Sequence, residues 1–357
     1  MKRLRLVSLS FALPLLAACA VSPSYYWQAA GGQYEIWHRA RPISDVISDP
    51  ATEPALRQKL ELATEIRHFA SSELGLPDNA SFRSYADLAR SNVVWNVFAA
   101  PPLSMKPKEW CVPVAGCIAY LGFFAEADAR AYADALRAQG LDVHIGGVPA
   151  YSTLGWFADP MLSTFIQWPE TELARLIFHE LAHQIVYVKD DSEFNESFAT
   201  AVEEAGIRRW LEQPGKGALT PRFEQAQRMR ADFADLVLRY RGELEQLYAS
   251  DRSDADKLVA KRDLIDRLHK EYALIKTERW NGFGGYDRWF GQDINNATLA
   301  SVGLYKRWVP AFTAMLARDD GDLTRFFADV RKLAGQAPDE RRRFLANLTT
   351  PATQASR

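Results

Sequence analysis

Residues 176 to 196 read Leu-Ile-Phe-His-Glu-Leu-Ala-His-Gln-Ile-Val-Tyr-Val, then Lys-Asp-Asp-Ser-Glu-Phe-Asn-Glu. His179 and His183 are four apart, so on a helix both imidazoles leave one face, one above the other. Glu180 sits beside them, within reach of a water on a metal held between the two rings. This H-E-x-x-H spacing is the arrangement of zinc hydrolases. Two histidines make half of a tetrahedral site, so a third ligand is expected downstream with water in the fourth position. Glu196 is the first candidate, and Glu193 and Glu203 on the same segment compete with it.

The surroundings favour a buried helix. Pro169 can occupy a first turn, and Glu170 and Glu172 suit the positive N-terminal end. From Leu173 to Val188 there is no Pro or Gly and one basic residue, Arg175. A helix apolar nearly all round belongs in a core. The alternative is a pair of core histidines bonded to backbone carbonyls, but two His and a Glu within five buried residues are costly to satisfy that way.

Downstream, Ser192 can cap a second helix running to about Glu212, ahead of Pro214 and Gly215. On it Glu196 and Glu203 lie two turns apart on one face. Glu203 is then placed to accept the N–H of a ligand histidine, or else it is a solvated carboxylate.

The start of the chain gives an address. Lys2, Arg3 and Arg5 precede an apolar run, Leu6 to Leu16, which is too short to span a bilayer. Leu16-Ala17-Ala18-Cys19 then reads as a lipobox, with cleavage before Cys19 and acylation of its sulfur; the alternative is an ordinary secretory peptide with a chance cysteine. Ala20 after the cysteine resembles the pattern of lipoproteins sorted to the outer membrane of Gram-negative bacteria. The expected location is therefore the cell envelope, facing the periplasm. Of three cysteines, Cys111 and Cys117 remain, and in an oxidising compartment they should pair. Pro113 and Gly116 suit the tight turn between them.

Composition places the rest among globular bodies: 357 residues, 48% hydrophobic, 25% charged, formal net charge −2. That balance gives no reason to expect nucleic acid as a partner; the expected partners are a peptide substrate and, through Cys19, a membrane. The expected organisation is a signal peptide (1–18), a lipidated tether (19–33), one body (34–348) and a tail (349–357). Within the body, 34–160 holds a helix and a small sheet, 161–215 the two site helices, and 216–348 a helical part. Glu53 to Leu74 is patterned as an amphipathic helix carrying His68, a satisfied or exposed histidine rather than a ligand. Val93–Phe98 and Ile118–Phe124 read as strands, Ala127–Gln139 as a helix, and Asp142–Ile145, with His144, as a further strand. Residues 143–156 are the candidate edge along which an extended peptide could lie, or else ordinary core sheet. Residues 221 to 276 form two charged helical stretches broken near Ser250–Ser253. Their seam is drawn from Leu236, Leu238, Leu244 and Leu247 against Leu258, Leu264, Leu268 and Leu274, with His269 among the solvated charges.

Two resemblances follow from the motifs. Asn195-Glu196-Ser197-Phe198-Ala199, with Glu203 seven residues after Glu196, is similar to the Asn-Glu-Gly-Phe-Ala segment of aminopeptidase N-type gluzincins. That likeness implies Glu196 as third zinc ligand. Those enzymes separate the two helices by more than the twelve residues found here, and their Gly-x-Met-Glu-Asn motif is absent. Segments 110–117, 146–157 and Asn295-Asn296-Ala297 resemble a bacterial family called putative aminopeptidases, whose members are predicted zinc-dependent lipoproteins. The resemblance implies a zincin-like α+β fold, predominantly helical, with a small mixed sheet before the H-E-x-x-H helix and a long helical hairpin after it. It implies one Zn²⁺ on His179, His183 and Glu196, Glu180 as general base, and hydrolysis of peptide bonds. An endopeptidase and a non-catalytic envelope scaffold remain as alternatives. Gluzincins also place a Tyr or His near the oxyanion. Tyr305 is the candidate among Tyr151, Tyr187, Tyr286 and Tyr305, with a core tyrosine as its alternative; Tyr187 is read as lying on the site helix, one turn past His183.

Overall fold

The computed structural model describes residues 22–112, 116–150, 152–153, 155–302 and 307–349. The fold is α+β and mostly helical. It opens on a helix, α1 (Pro23–Arg39), where the expected tether would run. Tyr25, Gln28, Ala29, Gly32 and Ile36 recur at helical spacing and turn inward. That packing outweighs the loop-like Ser, Pro and Gly content. Gly32 is required there, because a Cβ would lie 2.0 Å from the Phe124 ring.

β1 (Arg41–Pro42) and α2 (Ile43–Ser48) lead into α3 (Pro54–Ser72), where Leu60, Ala63, Ile66 and Ala70 are buried. Arg67 of α3, also buried, donates to the carbonyls of Pro77, Asn79 and Ser81 and so fixes the following loop. β2 (Ser84–Ala86) pairs antiparallel with β1 and parallel with a later strand.

The expected single mixed sheet is instead three small ones. The central sheet is antiparallel and is built on β3 (Val94–Ala100). The expected strand 118–124 is divided between β5 (Gly116–Ile118), which pairs with β4 (Trp110–Val112), and β6 (Leu121–Phe123), which pairs with β3. A disulfide joins Cys111 to Cys117 across the β4–β5 hairpin. After α4 (Glu126–Arg137), β7 (Asp142–Val148) takes the other side of β3, giving the order β6-β3-β7. Alternation then decides the faces. Trp95, Val97, Ala99, Leu121, Phe123 and Val143 pack with Ala129, Ala133 and Leu136 of α4. Val94, Asn96 and Gly122 face the other way.

Side chains from outside the sheet bond to both of its edges. At β6, Gln28 of α1 donates from Nε2 to Gly122 O (3.2 Å) and accepts from Phe124 N (2.9 Å), as a strand would. At β7, Asn295 Nδ2 donates to Val143 O (3.2 Å).

β8 (Met161–Leu162) completes the sheet with β2 and precedes α5 (Glu170–His183) and α6 (Ser192–Leu211). These two helices lie in the largest core, with Phe178, Phe194, Phe198 and Trp210 almost wholly enclosed. Gly206 lets them close up, since a Cβ there would sit 2.8 Å from Leu74 and Phe178. A long hairpin follows, α7 (Thr220–Ala249) and α8 (Asp254–Glu278), turning where Ser253 caps α8. Its seam is Leu236, Val237, Tyr240 and Leu244 against Leu264, Leu268, Tyr272 and Ile275. Leu238, Leu258 and Leu274 point to solvent, against the sequence pattern. His269 is part-buried, its ring nitrogens on the carbonyls of Ile265 and Phe290 (2.9 and 3.0 Å), so it does not belong to the solvated face. Short helices α9 (Asp287–Phe290) and α10 (Asn296–Ala300) return the chain to β7. α11 (Val309–Arg318), α12 (Leu323–Ala334) and α13 (Pro338–Thr349) close the main core through Phe312, Phe326 and Phe327.

Candidate metal centre

The H-E-x-x-H segment occupies the last turns of α5. The helix stops at His183 rather than at Val188. Gln184 is its C-cap, accepting at Oε1 from Asn79 Nδ2 (2.7 Å) and donating from Nε2 to Ser81 Oγ (3.2 Å). Residues 184–191 form a loop that turns at Asp190 with φ +61°. Asn195 clamps that loop, donating to Val188 O and accepting from Val188 N, both at 2.8 Å. The cap of α6 is Asp191 rather than Ser192. Asp191 accepts from Phe194 N (3.3 Å) and pairs with the buried Arg341 at 2.8 Å.

This frame gathers two imidazole nitrogens and one carboxylate. His179 Nε2 and His183 Nε2 are 3.2 Å apart, His179 Nε2 and Glu196 Oε2 3.3 Å, and His183 Nε2 and Glu196 Oε1 3.6 Å. Donors bound tetrahedrally at about 2.0–2.2 Å from one ion lie roughly 3.3–3.6 Å from each other. The nitrogen pair, with a Glu196 oxygen in range of each nitrogen, therefore suits a single small cation. Glu193, the competing carboxylate, accepts instead from the Trp308 indole at 3.1 Å. Glu203 contacts the far side of His179, its Oε2 3.0 Å from Nδ1. When a cation displaces the Nε2 proton, that contact keeps the remaining N–H on Nδ1 and leaves Nε2 as the lone-pair donor.

Glu203 is itself held by Arg175. Arg175 also pairs with Glu172 (3.1 Å), and Glu172 with Arg230 of α7 (3.0 Å). A file of alternating charges thus runs from the donor triangle into the hairpin. Burial pulls the His179 imidazole down, but its bonds to Glu196 and Glu203 outweigh that and push it up to about 10. Burial and the neighbouring positive His179 take His183 down to about 4. Glu180 is pushed up to about 7 by burial, reinforced by Glu196 and opposed by His179. Glu196 and Glu203 also meet a burial penalty, but His179 holds both below the usual carboxylate range.

The triangle lies in a cleft of about 590 Å³. Its apolar wall comes from Val94, Val112, Ile118, Phe124, Val148 and Ala150, and Glu180 and Tyr187 open into it. Tyr187 is in the connecting loop, not on the helix, which turns it toward the site that a continued helix would carry it past. From the expected substrate edge, Val148, Ala150 and Ser152 line the cleft, while the start of β7 is covered by Asn295. His68 is exposed on α3. Tyr305, Tyr151 and Cys19 lie outside the described residues.

A family model described as Putative aminopeptidase matches residues 24–345. The chain belongs to that family. The match begins inside α1 and ends in α13, taking in the sheet, both site helices and the hairpin. No curated protein and no solved structure matches the chain. The supports that the motif does not announce are Asn195, Asp191, Arg175 and Gln184. Only Asn195, next to Glu196 in the Asn-Glu-x-Phe-Ala segment, had a local signal.

Proposed function

We propose that this family member is a zinc-dependent peptidase of the cell envelope, with His179, His183 and Glu196 holding one Zn²⁺. The observation that carries the reading is the donor cluster, with the two imidazole nitrogens 3.2 Å apart and each within 3.6 Å of a Glu196 carboxylate oxygen, and Glu180 next to it in an apolar cleft. When bound, zinc supplies a Lewis acid and brings the pKa of water to about 7. Glu180, pushed up to about 7, can take a proton near neutral pH and return it to a leaving amine. Glu203 keeps the His179 ring oriented, and Arg175 keeps Glu203 charged and in place. The apolar wall excludes water around an extended peptide and accepts uncharged side chains. The lipobox supports an outer-membrane lipoprotein, anchored through Cys19 and facing the periplasm.

The family description supports an aminopeptidase. One observation favours an endopeptidase as second reading. Among the described residues lining the cleft, Glu180 and Glu196 are the only acids, and both have other duties, so none is left to neutralise a substrate α-amine. Purified protein is incubated with aminoacyl-aminomethylcoumarins and, separately, with an internally quenched, N-acetylated peptide, each with and without chelator. Chelator-sensitive release of coumarin supports the aminopeptidase, and cleavage of the blocked peptide alone supports the endopeptidase. No turnover of either by zinc-loaded protein defeats the peptidase reading and leaves a scaffold.

A further inference from the structure

The outward face of α1 is aromatic. Trp27, Tyr34 and Trp37 recur at seven- and three-residue spacing along one side, with Ala30 and Gly31 between them. Trp27 is 78% exposed and Tyr34 64%. The patch continues onto a second segment, where the Phe157 ring meets Trp37 at 4.4 Å and Trp156 is 76% exposed. From Pro23 through Tyr34 there is no charged side chain. Within the described residues, the Trp27 indole N–H and the Tyr34 hydroxyl have no hydrogen-bond partner.

We infer that this face is a membrane-contact surface that lies in the headgroup layer of a phospholipid bilayer. Three observations choose lipid over protein as the occupant. Trp and Tyr, rather than Leu, Ile or Val, make up the stripe, and their polar tips on apolar rings suit the boundary between headgroups and acyl chains. The stretch carries no charge that would have to leave water. The helix begins four residues after Cys19, so an acyl chain there would bring the stripe to the bilayer at once. This last point rests on the anchoring reading proposed above.

The contact has a consequence for the cleft. Tyr25 and Ala29, on the inner side of the same helix, line it. With α1 flat on the bilayer, the cleft lies about one helix diameter, roughly 10 Å, from the headgroups. The substrates it reaches first are peptide segments held at the membrane surface.

The test uses the full chain carrying Gly31→Cys with a nitroxide label. Gly31 sits in the stripe, and a Cβ there meets nothing within 4 Å. Cys111 and Cys117 are already paired. In phosphatidylethanolamine vesicles the label should become more accessible to oxygen, which partitions into lipid, than to a water-soluble nickel chelate. Adding Trp27→Ser and Trp37→Ser should reverse that ratio, with the circular dichroism unchanged. A label that stays accessible to nickel in the otherwise unaltered chain overturns the inference. So does one shielded from both reagents with spin–spin broadening, which means that a second copy covers the stripe. The mass of the N-terminal peptide reports acylation separately. If Cys19 is unmodified the anchoring reading fails. The label is then read on the Gly31→Cys chain that also carries Cys19→Ser, with vesicles in excess, where an aqueous signal again overturns the membrane contact.

Discussion

Glu203 offers the most direct way to ask whether the donor triangle is prepared for a metal. Its carboxylate is nearly enclosed, contacts His179 Nδ1 at 3.0 Å and neutralises Arg175. Glu203→Gln keeps the volume and removes the charge. A group that orients a ligating histidine is worth 10–100-fold in metal affinity, or about 1.4–2.8 kcal/mol. Breaking a buried ion pair costs about 3–5 kcal/mol when the survivor is left unpaired. Arg175 keeps Glu172, so the expected loss of stability in the metal-free chain is smaller, on the order of 2 kcal/mol. Arg175→Gln should shift metal affinity less than Glu203→Gln, because it leaves the carboxylate against the imidazole. Zinc affinity is measured by competition with a chromogenic chelator, and stability by urea unfolding with chelator present. If Glu203→Gln binds zinc as tightly as the parent, the ring orientation assigned to Glu203 is wrong, whatever the urea curves show.

The other predictions concern the chemistry and the sheet. Glu180→Gln should retain near-stoichiometric zinc while hydrolysis falls by several orders of magnitude, and parental turnover would remove the proton-transfer role. Tyr187 opens into the cleft and competes with Tyr305 as the oxyanion donor; if it holds that role, Tyr187→Phe should lower kcat roughly 10²–10³-fold, about 2.7–4 kcal/mol, with zinc content and KM nearly unchanged. An unchanged kcat there, with a fall in Tyr305→Phe, returns that role to Tyr305. His144 is held down to about 4 by burial. Its neutral form is the folded one, so its contribution is complete above pH 6.5 and is lost as pH falls toward 4. Between those limits the parent should lose on the order of 2–3 kcal/mol more than His144→Gln in urea unfolding. Parallel curves for the two proteins would show that the ring is already protonated or exposed.

The candidate donors are legible in the sequence because they are local. His179, His183 and Glu196 fall within eighteen residues, and a four-residue spacing on a helix shows its geometry without knowledge of the fold. What was hidden is the long-range support. Arg341 reaches Asp191 across 150 residues, and Asn79 reaches Gln184 across 105. α5 stops at His183, where neither Gly nor Pro marks the place, so the sequence pattern alone carries Tyr187 along the helix and away from the cleft. α1 was misread through composition. Ser22, Pro23, Gly31 and Gly32 suggest a loop, but Tyr25, Gln28, Ala29, Gly32 and Ile36 keep helical phase. The hairpin was found from its length and its break near Ser250, but counting leucines misplaced part of its seam. Val237, Tyr240, Tyr272 and Ile275 occupy the inward positions, and Leu238, Leu258 and Leu274 fall outside them.

The two bonds from Gln28 to the β6 edge have a consequence for how the chain leaves the ribosome. Strand edges that wait for a distant partner are where nascent chains stick to one another. Here the cover is synthesised first: Gln28 precedes Gly122 by 94 residues, so helix α1 has already emerged when β6 appears. A chain begun after Arg39 would keep the donor triangle and most of the core, yet would expose that edge for its whole life. Such a truncation should be lost to aggregation during production, before any defect in its chemistry could be measured.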